Sequence, residues 1–126
     1  MSKKKEAFLR LRDLFEANQG VVLGSEVYPD YEYLYNTLYK GMEETGTLDS
    51  DYLDHIPKSN GVGYRMLALL GTKDEDGDYT SLQDCYTALT FVLRARELKH
   101  INDLFDMFTD NGDIYRALAR ICNFLE

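Results

Sequence analysis

The stretch from Ser81 to Leu98 is apolar around most of its circumference when it is drawn as a helix. Its polar positions form one narrow strip, which consists of Gln83, Thr87, Thr90 and Arg94. A helix of this kind normally has neighbours on several sides. Ser81, followed three residues later by Asp84, resembles a capping box and marks the start. We therefore predict a central helix over about 81–98.

Helical spacing of apolar residues predicts further helices on both sides of this central helix. The predicted segments are 3–18, Pro29 to about Glu44 with a stop at Gly46, two short helices around 50–56 and 60–70, a separate or kinked helix after His100, and Asp113 to Leu125. Proline suits a first helical position and glycine a helix end. The pattern predicts an all-α fold, a compact bundle of six or seven helices in one domain over 1–126.

The segment 21–28 is the one place where the pattern allows a β element. It reads VVLGSEVY, in which Gly24 and Ser25 suit the two-residue turn of a hairpin. Isolated hairpins are only marginally stable, so a loop that places Val22 or Leu23 in the core fits equally well. The sequence leaves both interpretations open, a small hairpin or a loop.

Composition and charge narrow the class of protein. The chain has 126 residues and a formal net charge of −8, which disfavours direct binding to nucleic acid or to an anionic membrane. No segment approaches the roughly 20 apolar residues of a membrane span. The two cysteines, Cys85 and Cys122, fall in apolar helical patterns, which indicates reduced thiols in a core. We therefore expect a cytoplasmic protein.

None of the candidate chemical sites matches a known requirement. An EF-hand alignment on Gly77 places Gln83 where the bidentate Glu is needed. The potential zinc ligands are two cysteines and two histidines without a characteristic spacing. Thiols in apolar patterns are usually inert. We therefore predict no metal, no cofactor and no enzymatic activity.

The basic cluster of Arg94, Arg96 and Lys99 lies at the C-terminal end of the central helix. Such residues compensate the helix dipole there and pair with nearby acids such as Glu97 and Asp103. We interpret the cluster as structural.

Residues 26–54 combine acidic residues with tyrosines. They contain eight acidic residues against the single base Lys40, a net charge of −7, and six of the ten tyrosines. Tyrosine is enriched in protein interfaces, and carboxylates steer a protein toward a basic partner. Tyr31 and Tyr35 fall on the apolar side of the predicted helix and are expected in the core, whereas Tyr33 and Tyr39 lie on or near the carboxylate side.

This combination predicts a non-enzymatic module whose acidic, tyrosine-rich face binds a basic surface of another protein. The predicted binding residues are Asp30, Glu32, Tyr33, Tyr39, Glu43, Glu44, Asp49 and Asp51. Because large basic surfaces often bind nucleic acid, one concrete form is an inhibitor or antagonist that mimics nucleic acid, of the kind that phages or immunity systems encode. The oligomeric state is left open.

Two alternatives come from other classes of protein. One is a small helical enzyme or ligand-binding protein with a pocket between the central and last helices, lined by Cys85, Tyr86, Tyr115 and Arg116. The other is a structural protein that self-assembles through spare apolar surface on the helix after His100. A deep, partly polar cavity favours the first, and a mass that depends on concentration favours the second.

Overall fold

The fold is all-helical, as the sequence predicts. The computed structural model describes residues 2–18, 29–52, 81–98 and 104–125, and within these ranges the chain forms five α-helices and no strand. They are α1 (Lys3–Glu16), α2 (Tyr31–Thr45), α3 (Leu82–Leu98), α4 (Leu104–Asp110) and α5 (Asp113–Phe124). The hairpin or loop at 21–28 and most of the two short helices predicted between 50 and 71 lie outside the described residues.

The ends of α1 and α2 follow ordinary capping rules. Ser2 caps α1, and its hydroxyl accepts a hydrogen bond from the Lys5 N–H at 3.1 Å. Asp30 caps α2 in the same way, accepting from the Tyr33 N–H at 3.1 Å. Pro29, predicted as the first helical position, therefore precedes the cap. Gly46 ends α2 with a φ of 69°, a left-handed conformation that glycine adopts without steric cost.

The start of α3 is a reciprocal capping box. The Asp84 N–H donates to the Ser81 hydroxyl at 3.1 Å, and the Ser81 N–H donates to the Asp84 carboxylate at 3.3 Å. Each side chain therefore satisfies a backbone N–H that the helix leaves without a partner. The sequence prediction for this helix and its start is confirmed.

The core is one cluster to which all five described helices contribute buried side chains. Helix α5 packs against α1, α3 and α4, and α2 packs against α1 and α4. Cys85, Leu89, Val92 and Leu93 of α3 are completely buried, as a central helix requires. The same cluster takes in aromatic side chains of α1 and α4, where Phe15 meets the edge of Phe105 with ring centroids 6.2 Å apart.

Helices α4 and α5 join at a tight turn over Asp110, Asn111 and Gly112. Gly112 has a φ of 85°, which favours glycine. The side-chain oxygen of Asn111 accepts from the Asp113 N–H at 2.8 Å and closes the corner.

Candidate protein-binding surface

Helix α2 separates its residues sharply between the core and solvent. Leu34, Leu38 and Met42 are buried, each with at most 1% of the side-chain surface exposed. The opposite side of the helix consists of exposed residues: Glu32, Tyr33, Asn36, Lys40, Glu43 and Glu44. Tyr33 is 56% exposed, which leaves most of its ring available to a partner. Both sides agree with the pattern read from the sequence.

The exposed carboxylates of this region have little neutralisation within their own segment. Asp30, Glu32, Glu43, Glu44 and Asp51 are all exposed. Lys40, the single base in residues 26–54, approaches Glu44 at 3.9 Å, and both side chains are largely exposed. An ion pair this open contributes little. We call these five acids, together with Tyr33 and Tyr39, the acidic face.

Asp49 does not belong to this face, contrary to its placement in the predicted set. It is only 7% exposed, and its carboxylate accepts hydrogen bonds from the Thr87 hydroxyl at 2.6 Å and the Gln83 amide at 3.2 Å. Its backbone N–H donates to the Thr90 hydroxyl at 3.0 Å. The segment after α2 therefore turns inward and docks on α3, which places this carboxylate in a structural role.

The segment that contains Asp49 docks on the polar strip of α3. Gln83, Thr87 and Thr90 lie at helical spacing along one side of α3, and both threonines are buried. The strip is visible in the sequence, but the sequence assigns it no partner. A signal was present, because threonines on a nearly apolar helix need hydrogen-bond partners once they are buried. The strip did not indicate which segment would provide them.

Arginine side chains connect the C-terminal half of α3 to the tyrosines of α2. The Arg94 guanidinium lies 5.7 Å from the Tyr39 ring centroid, and that of Arg96 lies 5.4 Å from the Tyr35 ring centroid. Arg94 also pairs with Glu97 at 2.6 Å, and this hydrogen bond raises the pKa of the arginine. Arg96 pairs with Asp106 of α4 at 3.2 Å.

These contacts show what the basic cluster does and where the tyrosines of α2 lie. The predicted structural role is confirmed for Arg94 by its pair with Glu97, while Lys99 and Asp103 lie outside the described residues. Tyr35 packs against the core, and its burial raises the pKa of its hydroxyl. Tyr31 is partly buried and donates a hydrogen bond to Asp110 at 2.7 Å. Tyr39 is partly exposed at the edge of the acidic face, beneath Arg94.

An open groove runs between α1 and α2 beside the acidic face. Its cavity volume is about 680 Å³. Residues of both helices line it: Ala7, Arg10, Leu11, Leu14, Tyr33, Asn36, Thr37, Lys40, Gly41 and Glu44. Tyr33 and Glu44 thus belong both to the acidic face and to the wall of this α1–α2 groove.

The four residues predicted to line a pocket between α3 and α5 differ in how deeply they are buried. Cys85 is fully buried in the core, and this burial raises the pKa of its thiol to about 12. Tyr86 is 9% exposed, and its hydroxyl has no hydrogen-bond partner within the described ranges. Tyr115 and Arg116 are partly exposed, and Arg116 pairs with Asp113 at the start of α5. Cys122 is a second free, buried thiol whose pKa is raised by burial.

Comparison with protein-family models, with curated proteins and with solved structures finds no match to this chain. Among residues 2–18, 29–52, 81–98 and 104–125, no helix is long and apolar enough to cross a membrane. In the same ranges, no three His, Cys, Asp or Glu side chains are grouped to hold a metal ion.

Proposed function

We propose that this protein is a non-enzymatic binding module that engages a basic surface of another protein through its acidic face. The observation that carries the proposal is Tyr33, 56% exposed on the same side of α2 as Glu32 and Glu44. A rigid aromatic ring among carboxylates combines an apolar contact with charge steering. The Glu32 and Glu44 carboxylates are exposed, and the pair that Glu44 forms with Lys40 is open to solvent.

A nucleic-acid-binding protein is the partner class that suits this combination. Proteins of that class carry basic residues that neutralise phosphates, and those that bind single strands also provide surfaces on which bases stack. On the acidic face, carboxylates take the position of phosphates and Tyr33 the position of a base. The protein then acts as an inhibitor or antagonist that competes with nucleic acid. The free thiols Cys85 and Cys122 fit a reducing compartment, and we place this activity in the cytoplasm.

Charge reversal of the acidic face tests the proposal. The E32K/E43K/E44K variant and a control with the same charge change on α1, E6K/D13K/E16K, are immobilised beside the wild type and exposed to native-host lysate. We expect wild type and control to retain one basic protein, which rising salt releases, and the α2 variant to lose it. The wild type should then displace the purified partner from labelled nucleic acid, whereas the E32K/E43K/E44K variant should not.

Two results would contradict the proposal that the acidic face binds the partner. One is equal retention of the partner by the wild type and the α2 variant. The other is retention that does not respond to salt. Thermal melting of all three proteins verifies that the substitutions leave the fold intact.

Self-assembly is a second candidate, favoured by one observation. Met107 of α4 is 48% exposed and Phe124 at the end of α5 is 42% exposed. Exposed apolar side chains of this size are common at interfaces. If they mediate self-association, the mass in solution will rise with protein concentration and M107E will abolish that rise. A constant monomer mass excludes this candidate.

A further inference from the structure

Positive charge exceeds negative charge in the α1–α2 groove, although the chain as a whole is acidic. Arg10 of α1 and Lys40 of α2 line it, and Glu44 is the one acid among its described lining residues. Lys40 and Glu44 approach each other at 3.9 Å, so their charges offset one another. Arg10 is exposed and forms no ion pair or hydrogen bond with a described residue. The groove therefore holds an unbalanced guanidinium in a chain whose net charge is −8.

Thr37 adds a second unused hydrogen-bond donor to the groove. A threonine inside a helix commonly donates to the carbonyl four residues earlier. Four of the five described helical threonines do so: Thr45, Thr87, Thr90 and Thr109. The Thr37 hydroxyl makes no hydrogen bond with any described residue, and neither does the side chain of Asn36 beside it. Both residues line the groove, so its polar capacity is left for a ligand.

Most of the remaining lining is apolar. Leu11 and Leu14 lie one turn apart on α1, and Ala7 extends their side of the groove. On α2, the ring of Tyr33 is 56% exposed. Ligand sites in proteins combine an apolar lining with a few polar groups that fix the orientation of the ligand. The volume of about 680 Å³ is that of a site for a small molecule.

We propose that this groove binds a small carboxylate with an apolar body, of the kind that a medium-chain fatty acid represents. The body lies on the leucines and the Tyr33 ring. The carboxylate accepts hydrogen bonds from Arg10, whose guanidinium suits a carboxylate, and from Thr37. One unbalanced cation matches a monoanion, whereas the second charge of a phosphate would meet only Glu44. The site goes beyond the proposed function, because neither Arg10 nor Thr37 belongs to the acidic face.

Octanoate is the probe, and 1-octanol and octyltrimethylammonium are controls with the same chain and a different head group. Binding to the full chain is followed by backbone amide chemical shifts in a titration. We expect octanoate to bind at least about tenfold more tightly than either control and to shift Arg10, Leu14 and Thr37. Charge attraction to the whole chain would produce the reverse order, because a net charge of −8 repels an anion. Equal binding of octanoate and 1-octanol, or no binding of octanoate, overturns the inference.

Two arginines of α1 allow a matched comparison. Arg12 is partly exposed, pairs with Asp13 at 3.2 Å and does not line the groove. We expect R10Q to weaken octanoate binding about tenfold and R12Q to change it less than about twofold. Both variants remove one positive charge from the same helix, so the difference isolates the groove. Equal effects of the two would contradict the proposed site.

Two threonines of α2 test the hydroxyl in the same way. Thr45 does not line the groove, and its hydroxyl already donates to the Gly41 carbonyl at 2.8 Å. We expect T37V to weaken octanoate binding about fivefold and T45V to change it less than about twofold. Thermal melting verifies that each variant is folded at the temperature of the titration. A T37V protein that binds octanoate as tightly as the wild type would remove Thr37 from the site.

Glu44 separates this inference from the proposed function. E44Q removes the acid of the groove, so it should strengthen octanoate binding about twofold, whereas the same change should weaken binding of a basic partner. If R10Q weakens octanoate binding while E32K/E43K/E44K still retains the basic partner, the groove stands and the acidic face fails. If the wild type does not bind octanoate but loses its partner on charge reversal of α2, the acidic face stands and the groove inference is wrong.

Discussion

The polar strip of α3 and the outward side of α2 carry polar side chains at similar helical spacing, yet they meet opposite environments. Thr87 and Thr90 are buried and hold the segment that contains Asp49. Glu43 and Glu44 are exposed on the helix just before that segment. The comparison teaches that acidic residues close in sequence can serve different purposes. One carboxylate organises the fold, and its neighbours stay exposed, where we propose that they bind a partner.

The largest effect on stability should come from the buried side of this comparison. Replacing Thr90 with Val removes the hydroxyl that accepts the Asp49 N–H at 3.0 Å. A buried donor that loses its acceptor costs about 1–3 kcal/mol, so T90V should lower the free energy of unfolding by that amount. Urea unfolding measures it.

Thr109 is the matched control for this substitution. It is 1% exposed, and its hydroxyl donates within its own helix to the Phe105 carbonyl at 2.9 Å. We expect T109V to cost less than about 0.5 kcal/mol, because among the described residues that hydroxyl bonds only within its own helix. Equal losses for the two variants would show that the Thr90–Asp49 contact has no special weight.

The next effect concerns the core side of α3 and depends on pH. Burial raises the pKa of Cys85 from 9.0 to about 12, so the folded protein holds this proton more tightly than the unfolded chain. The resulting stabilisation is complete below about pH 9 and is lost as pH rises toward 12. The slope from one such group reaches at most about 1.4 kcal/mol per pH unit.

The C85A variant isolates the contribution of this thiol. The unfolding free energy of wild type minus that of C85A should fall as pH rises above 9, because other titrating groups cancel in the difference. A difference that stays constant from pH 8 to pH 10.5 would contradict the prediction.

A smaller effect is expected at the boundary between the two regions, where arginines of α3 stack on tyrosines of α2. R96A removes an ion pair with Asp106 and contacts with the rings of Tyr35 and Phe105. We expect a loss of about 1 kcal/mol. R94A should cost less, because the Glu97 partner of Arg94 is more exposed than Asp106. Thermal melts that rank the two variants in the reverse order would refute this assignment.

The smallest effect on stability should come from the acidic face. E32Q, E43Q and E44Q alter exposed carboxylates, and the contact of Glu44 with Lys40 is open to solvent. Each should change the unfolding free energy by less than about 0.5 kcal/mol. The same variants should still weaken binding to a basic partner. A loss of stability above about 1 kcal/mol in any of them would mean that the carboxylate supports the fold and is not reserved for binding.

Local signals in the sequence predicted the helical elements well. The capping box of Ser81 and Asp84, the left-handed end at Gly46 and the turn at Gly112 each depend on residues within about four positions of one another. The separation of faces on α2 follows from the same short range, because every third or fourth side chain shares a side. Pro29 shows the limit of this reasoning. The side chain of Asp30 caps the helix, so α2 begins after Asp30 and not at Pro29.

The candidate site could be predicted only in part. Exposed Glu32, Tyr33, Glu43 and Glu44 were expected from their side of the helix. Asp49 was expected beside them because charge alone suggests solvent, but two buried threonines and a glutamine of α3 receive it instead. The α1–α2 groove was not predicted, because it depends on how closely Leu11 approaches Gly41 across two helices.

By itself the sequence determined that the described parts of this chain are helical, where those helices begin and end to within about two residues, and which side of α2 is polar. These features arise from hydrogen bonds and side-chain spacing within one or two turns. Only the tertiary structure decided which polar residues remain available. Asp49 and Thr90 are separated by 41 positions, and whether such groups meet depends on the packing of whole helices. The acidic face is therefore the set of carboxylates that packing left exposed.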